Sequence, residues 1–317
     1  MRVIELLNKN KETAFSFEIL PPLKGNSFSK VCSIIDKLRE FGPKYINITT
    51  HHSENIYQET EGGLMKKVNV RKRPGTVAIA AAIQYHYGIT AVPHIICKGF
   101  TKMETEYALL DLNFLGVHDL LLLRGDVNKL DSNQLYPGES HGHTTDLQKQ
   151  VNDFNSGIAC DGSFFEKMET PFSYGVACYP EKHEEAPNIE SDIAFLKQKI
   201  EAGADYTVTQ MFFDNRKYFD FVDRCRREGI TVPIIPGIKP IVLLNQLTVL
   251  PRIFRSEIPE ALATELRKCK TDDDAKAVGV EWSINQCKEL IAHGVPSLHF
   301  YTLMATDSVR KIAQAIY

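Results

Sequence analysis

No two of the seven cysteines, Cys32, Cys97, Cys160, Cys178, Cys225, Cys269 and Cys287, stand at CxxC spacing, and their odd number excludes a fully closed disulfide framework. They read as reduced thiols of a cytoplasmic protein. No apolar run approaches the roughly 18 residues of a membrane span. The opening MRVIELLNKNKE is too short in apolar residues and too charged for a signal peptide. Charge of one sign is also missing. The 37 Lys and Arg against 40 Asp and Glu leave a net −3, which gives no long-range pull on nucleic acid or an anionic membrane, so neither is expected as a partner. A small molecule is. There is no GxGxxG after a strand and no Walker loop, so a dinucleotide would have to bind otherwise than on a Rossmann unit. His51-His52 and His141-Gly142-His143 lack the carboxylate or cysteine spacing of a zinc site, and no metal is expected. Nothing reads as a serine or cysteine nucleophile.

Present instead, from Ala14 onward, are short β-branched runs alternating with longer helical patterns, the mark of βαβ units on a parallel sheet. Strands are expected at FSFEI, Tyr45 to Thr49, Ala91 to Cys97, Asp119 to Leu123, Tyr174 to Tyr179, Tyr206 to Gln210, Val232 to Ile235 and Leu298 to Leu303. Eight strands followed by helices in 317 residues predict an α/β fold of the (β/α)8 TIM barrel type, one domain over 1–317, with insertions near 55–75 and 128–170. The first insertion, with Lys66, Lys67, Arg71, Lys72 and Arg73, reads as a solvated polar stretch. Arg124-Gly125-Asp126 reads as a glycine turn at a strand end rather than an adhesion motif. Asn47-Ile48-Thr49 fits a glycosylation acceptor and is read as chance.

The stretch that organises the chain is FSFEILPP, Phe15 to Pro22: an apolar strand carrying Glu18 and stopped by two prolines, which cannot donate to a ladder. Barrel sites lie at the C-terminal strand ends. Those ends supply Glu18, Thr49, His94, Asp126, Tyr179, Gln210 and Tyr301, polar residues in or just after apolar runs, which converge as a ligand pocket does. Taken singly, Thr49 also suits a helix cap, His94 a satisfied core histidine and Tyr301 a rim filler.

Together these ends resemble the methylenetetrahydrofolate reductases, flavoproteins of one-carbon metabolism. The resemblance runs nearly the whole chain and rests on FSFEILPP, LLLRGD at 121–126, VACYPEKHEEA at 176–186, TQMFFD at 209–214, IIPGIKP at 234–240 and HFYTL at 299–303, in the family's order. It implies a (β/α)8 barrel carrying FAD and a ping-pong reduction of 5,10-methylenetetrahydrofolate to 5-methyltetrahydrofolate by NADH or NADPH, which serves methionine biosynthesis. It further implies Glu18 as general acid toward N10 of the folate, with a raised pKa, and Asp126 as the acidic residue near flavin and pterin. Gln210 matches an amide that binds folate. Thr49, His94, Arg124, Gly125, Asp126, Ala177, Tyr179, His183, Asp192, Lys199 and Tyr301 fall on flavin contacts, with Lys199 and His183 suited to the pyrophosphate.

Three departures, His143 ahead of Thr144-Thr145-Asp146-Leu147, and Phe195 and Gln198 in the helix of Lys199, imply altered FAD affinity. The resemblance also implies a homo-oligomer. Because the chain ends with the barrel, no C-terminal S-adenosylmethionine-binding regulatory domain, and hence no such feedback, is expected. The readings set against the reductase are a flavin-free pterin methyl-transfer barrel and a flavin- or folate-binding barrel without turnover. An absorbance scan separates the first of these from a flavoenzyme.

Overall fold

The structure, a computed structural model, describes residues 1–10, 12–125, 138–303 and 305–317. Helix α1 (Val3–Lys9) precedes strand β1 (Ala14–Ile19), α2 (Ser29–Leu38) and β2 (Tyr45–Ile48). A hairpin of β3 (Glu54–Glu59) and β4 (Met65–Val70) leads to α3 (Thr76–Tyr87). Alternation resumes with β5 (Thr90–Ile96), α4 (Lys102–Phe114), β6 (Asp119–Leu123), α5 (Thr144–Asn155), β7 (Ser173–Cys178), α6 (Ile189–Glu201), β8 (Tyr206–Thr209) and α7 (Asn215–Arg227). Two short strands, β9 (Ile234–Ile235) and β10 (Gly237–Ile238), flank Pro236. Then come α8 (Gln246–Phe254), α9 (Glu260–Lys268), α10 (Asp272–Ala292), β11 (Ser297–Tyr301) and α11 (Thr306–Ile316).

The main sheet runs β10-β11-β1-β2-β5-β6-β7-β8-β9, all parallel. Its two ends, β9 and β10, are halves of one strand, so the sheet closes on itself as a (β/α)8 barrel. Pro236 lacks the N–H that an unbroken ladder needs, which is why the strand parts there. Gly237 follows because a Cβ at that point would lie 2.4 Å from the Thr209 carbonyl oxygen and 2.6 Å from the Tyr301 ring.

Period-two alternation sorts each strand's side chains. On β1, Phe15, Phe17 and Ile19 join the core between sheet and helices, while Ser16 and Glu18 turn into the barrel. The lower interior is apolar, built from Ala14, Tyr45, Val92, Leu121, Tyr206, Val208 and Ile235, and α1 packs Val3 and Leu7 against it. The Val3 amide donates to Asp119 Oδ1 at 2.8 Å, fixing α1 to β6. The segment read as a solvated loop is instead the antiparallel hairpin Glu54–Glu59 with Met65–Val70, in which Tyr57 faces Lys67 and Ile56 faces Val68. Its short alternation of Ile56, Val68 and Val70 is masked in sequence by the surrounding charge. Asn47 is 1% exposed inside the barrel, where no glycan can attach.

Candidate active site

The upper interior is polar. Glu18 sits between Asn47 of β2 and Tyr301 of β11 in the register and is 7% exposed. Its Oε2 lies 3.8 Å from His94 Nε2. Burial, with the fields of His299 and His51, holds the His94 pKa down to about 3, so at neutral pH Glu18 lies beside an uncharged imidazole. His299 is fully buried, and burial likewise takes its pKa to about 3. Its Nδ1 lies 3.0 Å from Ser16 Oγ and 3.4 Å from Asn47 Nδ2, a polar layer tying β11, β1 and β2 together.

Tyr301 reaches from β11 toward β8 and donates its hydroxyl to the Thr209 carbonyl at 2.6 Å. Burial first, then the charges of Glu18, Cys178 and Tyr179, push its pKa well above the phenol range, so it remains a donor. Gln210 follows β8, and its Oε1 accepts the Met211 amide at 2.9 Å, leaving its NH2 as the group to offer. Lys239, just beyond β10, is 5% exposed. Burial lowers its pKa to about 8, against the upward pull of Glu18.

A second group forms around β7 and α6. Lys199 Nζ donates to the Ala177 carbonyl at 2.8 Å, and burial lowers its pKa against the charges of Cys178 and Asp192. Asp192, 8% exposed, accepts the His183 amide at 2.9 Å, so α6 holds the loop that follows β7. The Tyr179 and His183 rings meet edge to face, centroids 4.7 Å apart. Arg124, just past β6, pairs through Nη1 with Glu185 of the same loop. Beside it Gly125 takes φ +84°, and a Cβ there would lie 3.3 Å from Ile96.

The fold thus brings Glu18, His94 and Tyr301 into one mouth, with Thr49 bonded to the Ile19 carbonyl at the end of β1. Ala177, Tyr179, His183, Asp192 and Lys199 gather beside it. Asp126 lies outside the described residues. Sequence reasoning missed Lys239, His299, Asn47 and Ser16. The last three are two residues back along their strands from Tyr301, Thr49 and Glu18, so alternation could have found them. Lys239 was missed because the strand was ended at Pro236-Gly237, whereas it resumes to Ile238. Gly138-Glu139-Ser140-His141-Gly142 does fit GxSxG spacing, contrary to the absence of any nucleophile signal. It lies in turns leading into α5, not on a strand-to-helix elbow, and His141 Nε2 is engaged with Gln150 Oε1 at 2.5 Å.

Comparison with known proteins finds relatives along nearly the whole chain. The methylenetetrahydrofolate reductase family model matches residues 2–317. A Caenorhabditis elegans protein, probable methylenetetrahydrofolate reductase (NADPH), is 31% identical over 99% of this chain and 43% of its own length. An Arabidopsis thaliana methylenetetrahydrofolate reductase (NADH) 1 is 30% identical over 96% of this chain and 48% of its own. The chain therefore spans about half the length of these relatives. It covers 90% of a Buchnera aphidicola 5,10-methylenetetrahydrofolate reductase, 30% identical over 95% of this chain. Among solved structures, a Clostridium thermocellum protein described as binding two copies of 5-methyl-5,6,7,8-tetrahydrofolic acid aligns over 98% of this chain and 96% of its own. At TM-score 0.58 and 15% identity that likeness shows the fold alone. On the family match across the barrel and the relatives at 30% identity and above, this chain belongs to the methylenetetrahydrofolate reductase family.

Proposed function

We propose that the chain reduces 5,10-methylenetetrahydrofolate to 5-methyltetrahydrofolate at the barrel mouth, with NADH or NADPH as electron donor and FAD as resident cofactor. The observation that carries the reading is Glu18, a carboxyl group buried at a strand end beside a neutral imidazole, where a proton can be held and delivered away from bulk water.

The residues suit FAD. Asn47 Oδ1, His94 Nε2, His299 Nε2 and Arg124 Nε are buried with no hydrogen-bond partner among the described residues, so donors and acceptors wait around the mouth. Thr49, His94, Arg124, Gly125 and Tyr301 would hold the cofactor at the mouth, and Ala177, Tyr179, His183, Asp192 and Lys199 beside it. When bound, FAD supplies a reversible store for the hydride that leaves the nicotinamide and reaches the folate, the two substrates occupying one place in turn. Glu18 has the folate step. Its proton goes to N10, so that the five-membered ring opens to the N5 iminium, which can accept hydride. Asp126 is assigned the field that favours that cation, and the Gln210 NH2 a hydrogen bond to the folate. The same reading makes a cytoplasmic homo-oligomer the working form.

The purified protein should be yellow, bleached by NADH or NADPH and recoloured by the folate. Glu18→Gln should keep the bleaching and slow the recolouring by on the order of 10²-fold or more in stopped flow. Flavin binding without any return of electrons to folate sinks the reading.

A further inference from the structure

Lys239 has no role in the reading above, yet its position is unusual. Side chains alternate along the closing strand: Gly237 lies against the Tyr301 ring, Ile238 joins the outer core, and Lys239 follows one level higher on the inner face at 5% exposure. The register carries that level across the seam, Ile238 beside Phe300, then Tyr301 beside Glu18. A lysine is rarely buried this far without an anionic partner or a use.

The strands that share the barrel mouth with it carry the titratable groups Glu18 on β1, His94 on β5 and His299 and Tyr301 on β11, with His51 beyond β2, and of these Glu18 is the one whose charge acts on Lys239. The elements β2 and β8 contribute the uncharged Asn47, Thr209 and Gln210. Both strand histidines are neutral and the phenol is protonated, so among the described residues the charge that acts on Lys239 is that of Glu18. Burial penalises both charged forms of such a pair. The ion pair and the neutral pair then approach each other in energy, and a proton can pass between them.

We propose that Lys239 is a positioning residue for Glu18: its ammonium faces the carboxylate across the closing seam and supplies the proton that Glu18 delivers to folate N10. This rests on the folate reading above. In the step, the N10–methylene bond breaks with its electron pair staying on N10. N10 takes the Glu18 proton, the methylene carbon becomes the iminium carbon on N5, Lys239 reprotonates Glu18, and water restores the ammonium.

Two measurements on the protein as isolated test this. Lysine labelled with 13C at Cε, assigned by loss of its signal in Lys239→Met, should give a Lys239 midpoint near 8, and Glu18→Gln should move it lower by removing the anion. In stopped flow across pH, the folate half-reaction should fall off above about 8 in the wild type. Lys239→Met should abolish that limb and slow the step by on the order of 10–100-fold, with the nicotinamide half-reaction nearly unchanged. Lys239→Arg, which keeps the charge but does not release its proton near neutrality, should slow it equally and serves if the methionine variant folds poorly. A Lys239 midpoint indifferent to Glu18→Gln, or a folate profile unchanged in Lys239→Met, overturns the proposal. Intact coupling in a wild type that reduces no folate at any pH overturns the functional reading, and this role with it.

Discussion

Burial gives the side chains at the mouth their chemistry. His94 and His299 are held near pKa 3, below the ordinary 6.5, so the unfolded chain binds more protons than the fold between those values. Stability from this source is complete above about pH 6.5 and drains away as pH falls toward 3, by about 1.4 kcal/mol per pH unit for each histidine. Replacing His299 with Asn, which keeps a polar group near Ser16, should flatten the denaturant-monitored stability curve between pH 6.5 and 4. An unchanged slope would mean that His299 is not buried neutral. Glu18, His94 and Tyr301 were legible in the sequence because each is a polar residue set in or at the end of an apolar run. Their ionisation was not, since His94 read alone is equally a core histidine, and only neighbours from other strands set its charge.

Among the elements, the closing strand is the most constrained. Pro236 splits it and Gly237 is hemmed in by the Thr209 carbonyl and the Tyr301 ring, so Gly237→Ala must push one of them aside. The expected cost is about 1–3 kcal/mol in chemical denaturation. Because the Gly237 amide also bonds Thr209 Oγ1 at 2.9 Å, the same change should disturb Lys239 and Glu18 beyond it. A fully stable Gly237→Ala would show that the seam gives more easily than the packing implies. The β-runs and helices around the ring were readable from their periods. In the structure Thr101 with Glu104 and Thr271 with Asp274 form capping boxes at α4 and α10. The β3–β4 hairpin was not readable, because its apolar residues are few and pair with each other rather than with the barrel.

For the whole molecule, the barrel separates an apolar floor from a polar mouth, and α1 covers the floor. Asp119 anchors α1, and burial raises its pKa to about 6, against the Val3 amide bond that lowers it. A carboxyl raised in this way helps the fold while protonated, and that help is lost as pH rises through about 6, the opposite sense to the histidines. Asp119→Asn should therefore match the wild type near pH 4 and exceed it at pH 8 by about 1–3 kcal/mol in thermal or denaturant unfolding. A loss at pH 8 would show that the charged Asp119–Val3 bond outweighs burial. The order of apolar runs, helices and strand-end polar residues determined the eight-stranded barrel and which end of it would carry chemistry, because period and sequence position are local properties. Only the closed tertiary structure decided that Lys239 is buried within reach of the Glu18 charge, that both histidines are neutral and that the hairpin stands outside the ring. Burial and through-space charge depend on residues brought together from opposite ends of the chain.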